Sequence, residues 1–530
     1  MKRARVYWAA VAVVSLIFYV NIVIPSTGST ADLKIGMKTE PTSVDPHFYA
    51  YSPNTMVSLY TFDKLVNQNP MMILEPALAV SWKPVNDLTW EFKLREGVKW
   101  HDGSPFTAED VKFTLERAPK VPNSPSSFAR FINQIKGIEI VNPMTILLKT
   151  SEPFPLMPAY LSVFAIVSKK HGERALTPDY NSGKAMIGTG PFKFAEYVPG
   201  DRIVFKKNDT YWGKKSIWDT VTIKPIANDL ARVAALLAGD IDFIDNVPTA
   251  DIARLRKDPK VTVTQIVSNM MIYLHMDSHR DESPFVTDRN GNPMKKNSLK
   301  DMRVRKAISK AINREAIIER IMQGDGVATA QIMNEGSLAW STALKPEKYD
   351  PEGAKKLLTD AGWKDGFGLT IHGPKDRYVD DVKICQAIAQ MLTQVGIPTK
   401  VETMPASVFF TRGSKLEFSF LLAGWNPNTG EPSEVLTGLI HSYDEAKGFG
   451  GANRGRYSNP EFDRTLQKAL VTVDPKEHEK LMIRATEIAM QDYGIIALHH
   501  QMNTWAMRKG ISYEARINGY TQAQFIDQAR

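Results

Sequence analysis

The chain has 530 residues, 43% of them hydrophobic and 23% charged, with 33 glycines and 32 prolines; this excludes disordered, fibrous and low-complexity classes and leaves folded material for three or four domains. The formal net charge is +8, and three of the positives, Lys2, Arg3 and Arg5, stand in one terminal run, so the surplus elsewhere is too dilute to argue for nucleic acid. A single cysteine, Cys385, excludes an internal disulfide and any cysteine-based metal site.

The first segment reads as a targeting signal. Met1–Arg5 is basic, Val6–Ile24 is nearly all apolar, and Pro25–Ala31 is small and polar, with Ser29 and Ala31 at the −3 and −1 positions of a cleavage site. Residues 1–31 are therefore expected to be a cleaved signal peptide; the apolar run is also near the length of a membrane span, so a retained anchor is the alternative. Either way the rest of the chain is exported. No cysteine stands directly after the apolar run, so the protein is not expected to be a lipoprotein, and a free exported protein points to the periplasm. No later apolar stretch approaches 18 residues, which excludes a permease.

Beyond the signal, strand-like and helix-like patterns alternate as in an α/β protein. Trp90–Arg95 alternates apolar and polar and predicts an amphipathic strand; Asp102-Gly103 turns, and Thr107 caps a helix with Asp110 three residues on. The segment 280–300 is polar, with turn signals at Asn290-Gly291 and Asn292-Pro293, and reads as a surface insertion. The spacing of Val304, Ile308, Ala311, Ile312, Ile318 and Met322 predicts one helix over 303–322. Asp350-Pro351 starts a helix that stops at Gly362, and Asn459-Pro460 starts another through Phe462, Leu466 and Leu470.

Catalytic signatures are missing: the chain contains no G-x-x-x-x-G-K-[ST], no H-E-x-x-H and no G-x-S-x-G. His499-His500 sits in a strand-like stretch, where adjacent side chains face opposite sides and cannot share an ion. Asp288–Asn292 is loosely calcium-like, but its glycine falls at the wrong position for an EF-hand loop, so a plain turn is the simpler reading. No metal and no cofactor is expected.

From Trp82 onward the residues become recognisable. Asp87-Leu88-Thr89-Trp90-Glu91-Phe92-Lys93-Leu94-Arg95-Glu96-Gly97-Val98-Lys99-Trp100-His101-Asp102-Gly103 leads into Phe106-Thr107-Ala108-Glu109-Asp110-Val111. Gly188-Thr189-Gly190-Pro191-Phe192, Asn208-Asp209-Thr210-Tyr211-Trp212-Gly213, Val304-Arg305-Lys306-Ala307-Ile308, Gly424-Trp425 and Tyr457–Asp463 follow in order. This set resembles family 5 of the bacterial extracellular solute-binding proteins, the oligopeptide-, dipeptide- and nickel-binding group serving ABC importers, over essentially the whole mature chain. The resemblance implies a two-lobed periplasmic-binding-protein fold (type II, cluster C) with an additional domain. It also implies lobe I at 32–59, 185–267 and 494–530, the extra domain at 60–184 and lobe II at 268–493. Most matching residues, among them Trp90, Phe92, Val98, Phe106 and Val111, have the spacing of core positions. Trp212 is open to ligand contact, but packing is the simpler role.

The resemblance places ligand chemistry at Gly424-Trp425-Asn426-Pro427-Asn428-Thr429-Gly430-Glu431-Pro432. Peptide-binding relatives carry an aspartate three residues after the tryptophan, paired with the peptide ammonium; here that position is Asn428, which cannot supply a charge-assisted bond. Either the ammonium anchor is lost or Glu431 takes its role. Tyr51 and Ser52, beside Tyr49, fall where relatives bring an N-terminal loop to the ligand. Arg454 lies in a glycine-rich loop facing the same region by analogy, where its planar fork would suit a carboxylate or phosphate; Arg456 reads equally as a solvated charge. The expected function is capture of a peptide or peptide-like solute and delivery to the ABC permease subunits, with the ATPase subunits engaged indirectly. The protein is expected to be a monomer, with no nucleic-acid partner. A non-peptide solute (an opine, a modified sugar or a metal chelate) is the alternative, and an exported hydrolase the reading from a different class.

Overall fold

The computed structural model describes residues 31–125, 127–375 and 377–529. Apart from Ala31, the expected signal peptide lies outside the described residues. No helix among them is long and apolar enough to cross a membrane.

Two strands organise the molecule. Val261–Met276, at 16 residues longer than an ordinary strand, pairs antiparallel with Ile496–Arg508 along most of its length. The rest of the main sheet attaches at opposite ends of this ribbon. At one end Phe243–Ile244 pairs with Met507 and Ala506 and leads to Asp32–Met37, Thr220–Pro225, Arg202–Lys207 and Phe192–Val198. At the other, Phe420–Trp425 pairs with Met276 back to Met271 and leads to Gly368–Lys375 and Val286–Thr287. Between the two attachments the ladder loses register, between Val267 and Met271. The irregularity is pinned rather than loose: Ser268 Oγ donates to the Gln501 carbonyl at 2.7 Å, and Asn334 Nδ2 donates to the Ser268 carbonyl at 2.6 Å.

Each half carries its own core. Leu33, Ile35, Phe192, Phe205, Val221 and Ile223 are buried together on the first half-sheet. Ile272, Leu274, Ile371, Phe420 and Leu422 do the same on the second. A separate four-stranded antiparallel sheet, Ala79–Asn86, Thr89–Leu94, Thr145–Thr150 and Ile135–Asn142, covers a third core. Trp90, Phe92, Val98, Phe106 and Val111 are buried there, as their spacing predicts, with Glu91 and Lys93 alternating outward. Helix Ala108–Arg117 opens at Thr107, whose N–H donates to Asp110 Oδ2 at 3.0 Å. The glycine pair before Pro191 lies against Thr61: a Cβ at Gly188 would fall 1.7 Å from its carbonyl oxygen, so any side chain there would force the chain apart.

Two expectations are corrected. The helix read over 303–322 is two, Met302–Ala311 and Arg314–Arg320, because Asn313 turns its side chain to accept from the Ala316 N–H at 2.9 Å and starts a second helix. The apolar spacing survives the break because both helices face the same core. The segment 280–300, read as a surface insertion, adds the edge strand Val286–Thr287 and buries Val286 and Leu299. His499 and His500 lie in the strand Ile496–Arg508, as expected.

Candidate functional site

A cavity opens where the two half-sheets and the four-stranded domain meet. The N-terminal side supplies Tyr51, Ser52 and Thr55, the link into the four-stranded domain supplies Lys64 and Gln68, and that domain supplies Phe128, Arg130 and Phe131. The loop after Phe420–Trp425 supplies Asn426, Pro427 and Asn428, and the C-terminal tail supplies Asn518 and Tyr520. The space is narrow, about 30 Å3, enough for one or two waters.

Local structure sets each wall. Tyr51 is the extended residue before helix Ser52–Thr61, with Pro53 in the first turn. That end of the helix is tied down by Asn54, which accepts from the Thr42 N–H at 3.0 Å and donates to Thr42 Oγ1 at 3.0 Å. Tyr49 and Tyr51 stack with centroids 5.0 Å apart. After the helix the chain runs extended, so Asp63 and Lys64 face opposite sides. Asp63 turns inward and accepts from Thr189 Oγ1 at 2.9 Å, Tyr211 at 2.8 Å and Trp212 Nε1 at 2.8 Å. Trp212 is thereby assigned to packing, its ring also covered by Arg95 at 4.6 Å. The hairpin Val66–Gln68/Leu74–Pro76 then crosses the cleft: Gln68 Nε2 donates to the Thr429 carbonyl at 2.8 Å, and Arg516 donates to the Gln68 carbonyl at 2.6 Å.

Of the residues singled out in the sequence, Tyr51, Ser52, Asn426 and Asn428 come together on the cavity; the other four are set back from it. Gly424 lies against Tyr378, whose hydroxyl donates to the Gly424 carbonyl at 3.1 Å. Trp425 is half-buried and lays its ring on Gly438, within 3.3 Å of where a Cβ there would stand. Arg454 is tucked inside its own half, 5.4 Å over the Phe410 ring and against Gly413. Glu431 is 3% exposed and satisfied internally, accepting from the Ser433 N–H at 3.0 Å and from the Ser433 hydroxyl, and lying 3.0 Å from His478 Nε2. Burial disfavours the imidazolium of His478, but the bond and charge of Glu431 outweigh it and hold that imidazole above its ordinary value.

Four groups escaped the sequence reading. Glu434 binds Asn428 through both carboxylate oxygens, accepting from its N–H and from Nδ2 at 3.0 Å each. Burial raises its pKa, partly offset by those bonds and by the charge of Arg130. An acid therefore does stand beside position 428, six residues later than the relatives' pattern suggests. Lys64, Arg130 and Tyr520 were also missed. The sequence around Lys64, Phe62-Asp63-Lys64-Leu65-Val66, alternates too briefly to mark the lysine as buried, and Tyr520 carried no signal. Asn426 presents Oδ1 buried and without a hydrogen-bond partner among the described residues.

The arrangement can hold a solute by hydrogen bonds, charge and aromatic contact. Among the described residues no group of three or more histidine, cysteine, aspartate or glutamate side chains is placed to hold a metal ion.

Comparison with known proteins agrees with this geometry. Residues 74–447 match the model of "Bacterial extracellular solute-binding proteins, family 5 Middle". The chain is 27% identical over 484 residues to heme-binding protein A of Haemophilus influenzae, covering 85% of this chain and 82% of that protein. It is 28% identical over 477 residues to glutathione-binding protein GsiB of Escherichia coli O157:H7, covering 87% of each. The solved structure of HbpA2 from Haemophilus parasuis superposes with a TM-score of 0.80 at 23% identity, covering 94% of this chain and all of that one. A sheet divided around a two-strand ribbon, a cleft lined from both halves and a family match over most of the length agree: the chain belongs to family 5 of the bacterial extracellular solute-binding proteins, two-lobed proteins that bind solutes for ABC importers.

Proposed function

We propose that the protein captures a peptide or peptide-like solute between two lobes in the periplasm and presents the closed form to its ABC permease, as a monomer and without turnover. Lobe I comprises 32–59, 185–267 and 494–530, lobe II 268–493, and the additional domain 60–184; residues 1–31 direct export and are cleaved. The observation that carries the reading is the ribbon of Val261–Met276 and Ile496–Arg508, shared by both half-sheets and out of register at its middle, with the cavity lined from both sides of it. A solute that touches both walls binds the closed arrangement better than the open one and shifts the population toward it.

Two features favour an amide-bearing ligand. The unpartnered Oδ1 of Asn426 is an acceptor for a ligand N–H. Tyr51, Phe128, Phe131 and Tyr520 offer broad apolar faces for side chains of varied shape. One relative is named for glutathione, itself a tripeptide. The test is small-angle scattering with thermal denaturation during titration of a peptide panel, after native mass spectrometry for a co-purifying solute. Binding should shrink the radius of gyration and raise the melting temperature together, by about 2.7 kcal/mol of stability at a hundredfold excess over Kd. Saturable binding with an unchanged radius would sink lobe closure.

A further inference from the structure

We infer that the cleft selects an anionic solute, with Lys64 as the fixed cation that receives its acid group. The inference rests on the solute-capture reading above and names the ligand class.

Lys64 is 6% exposed and lines the cavity. Among the described residues it forms no ion pair and its ammonium finds no hydrogen-bond acceptor; the charge acting on it is a second cation, Arg516. Its nearest aromatic is Tyr520, with the ammonium 6.0 Å from the ring centroid. The backbone at Lys64 is held in place. It is bridged to Ala165, its carbonyl accepts from the Leu78 N–H at 3.2 Å, and the preceding Asp63 is held on the opposite side by three donors. Several buried charges elsewhere are paired, Arg117 with Asp45 at 2.8 Å, Arg305 with Asp492 at 3.3 Å and His478 with Glu431 at 3.0 Å; at this corner the buried neighbour Arg516 also forms no ion pair among the described residues, so two cations stand together without an acid. An unanswered buried ammonium facing a cavity is costly unless something with the opposite charge arrives.

The rest of the lining agrees. It contains two cations, Lys64 and Arg130, and no carboxylate. The nearby acid, Glu434, has both oxygens engaged by Asn428. The lining also carries the hydroxyls of Ser52, Thr55 and Tyr520 and the rings of Tyr51, Phe128 and Phe131. The shared chemistry is an anionic oxygen, carboxylate or phosphate, attached to a body with amide or apolar groups.

The test titrates glutathione, its diethyl ester, glutarate, glycerol 3-phosphate and a capped neutral tripeptide into the full-length mature protein, Lys64→Met and Lys64→Arg, reading calorimetry, melting temperature and scattering radius. The expected result is that at least one acid binds at least tenfold more tightly than the ester or neutral compound. That preference should survive in Lys64→Arg and vanish in Lys64→Met. Glutarate and glycerol 3-phosphate distinguish carboxylate from phosphate. The inference is overturned if no acid binds better than the neutral compounds, or if Lys64→Met keeps the preference. Should Lys64→Met not fold, Lys64→Gln supplies the same readout. Closure on the neutral tripeptide without acid preference would remove the anion and leave solute capture standing, whereas binding without closure by any compound would remove capture itself.

Discussion

Glu431 and Lys64 are both charged, both buried and both close to the cleft, yet they stand in opposite situations. Glu431 belongs to the wall built by the loop after Phe420–Trp425, where Ser433 and His478 answer its oxygens from within the same half of the molecule. Lys64 belongs to the facing wall, where the neighbouring charge is another cation and the ammonium looks into the cavity. A paired buried charge holds a loop in shape, whereas an unpaired one at a cleft is open to a ligand of opposite charge. The difference shows why the type of residue alone is a poor guide to the site.

The comparison breaks most sharply at Glu431. Glu431→Ala should cost about 3–5 kcal/mol of stability, because His478 and Ser433 lose their shared partner inside the protein. The pH dependence has a definite sign. With the folded-state pKa of His478 raised, its contribution is complete below the ordinary imidazole range and is lost as pH rises through the raised value. Urea unfolding at pH 5.5 and pH 8.5 should therefore show the larger penalty at the lower pH. A large loss of ligand affinity in a variant with unaltered stability would show instead that Glu431 faces the solute.

Lys64→Met should act in the other direction, stabilising the ligand-free protein by about 2–3 kcal/mol at pH 7 through removal of an unpaired buried charge. Burial, aided by Arg516, pulls the Lys64 pKa down from its ordinary value to about 7. The unfolded chain then binds the extra proton between about 7 and the ordinary lysine range, so the folded state gains stability as pH climbs through that window. The advantage of the variant should be full below pH 7 and shrink toward pH 10. A variant less stable than the parent at neutral pH would mean that the ammonium has a partner inside the fold.

Trp425→Ala should cost about 2 kcal/mol of stability from lost contact with Gly438 and its surroundings. Its effect on affinity should be small, since Trp425 is not among the residues lining the cavity. A tenfold affinity loss at unchanged stability would return this tryptophan to the site.

The smallest effect is expected at Asn428. An aspartate there would face both oxygens of Glu434 across hydrogen-bond distance. Like charges so close push one of the pair to protonate, so Asn428→Asp should destabilise the ligand-free protein by about 1 kcal/mol at pH 7 and less below pH 5. It should not restore tight binding of free-amino peptides unless Glu434→Gln accompanies it. Calorimetry of the single and double variants with a tripeptide and its N-acetylated twin decides: free-amino binding already regained in the single variant would show that Glu434 does not compete.

Much was legible from sequence because it depends on short-range chemistry. Alternation marked Thr89–Leu94, Asp350-Pro351 marked the helix Pro351–Asp360, and Asn459 marked Pro460–Val471, since caps and periodicity act within a few residues. The break at Asn313 was written in the same chemistry and was hidden by apolar spacing that continued across it. Ordered motif blocks carried the family, and with it the two-lobed fold, because they are read along the chain.

Which side chains meet the solute is a different kind of fact. The cavity is assembled from segments near residues 51, 64, 130, 426 and 520, and whether a charge there is free depends on what every other segment brings to it. Glu431 was claimed by a histidine on a helix 47 positions along the chain, while Glu434 came forward to hold Asn428. Lys64 was left unanswered because the tail opposite carries Arg516 and Tyr520 and no acid at that corner. The sequence by itself determined the family, the strand and helix chemistry and the loop at 424–432. Only the tertiary structure decided which buried charges neutralise one another, since that pairing is set by distance in space across a low-dielectric interior.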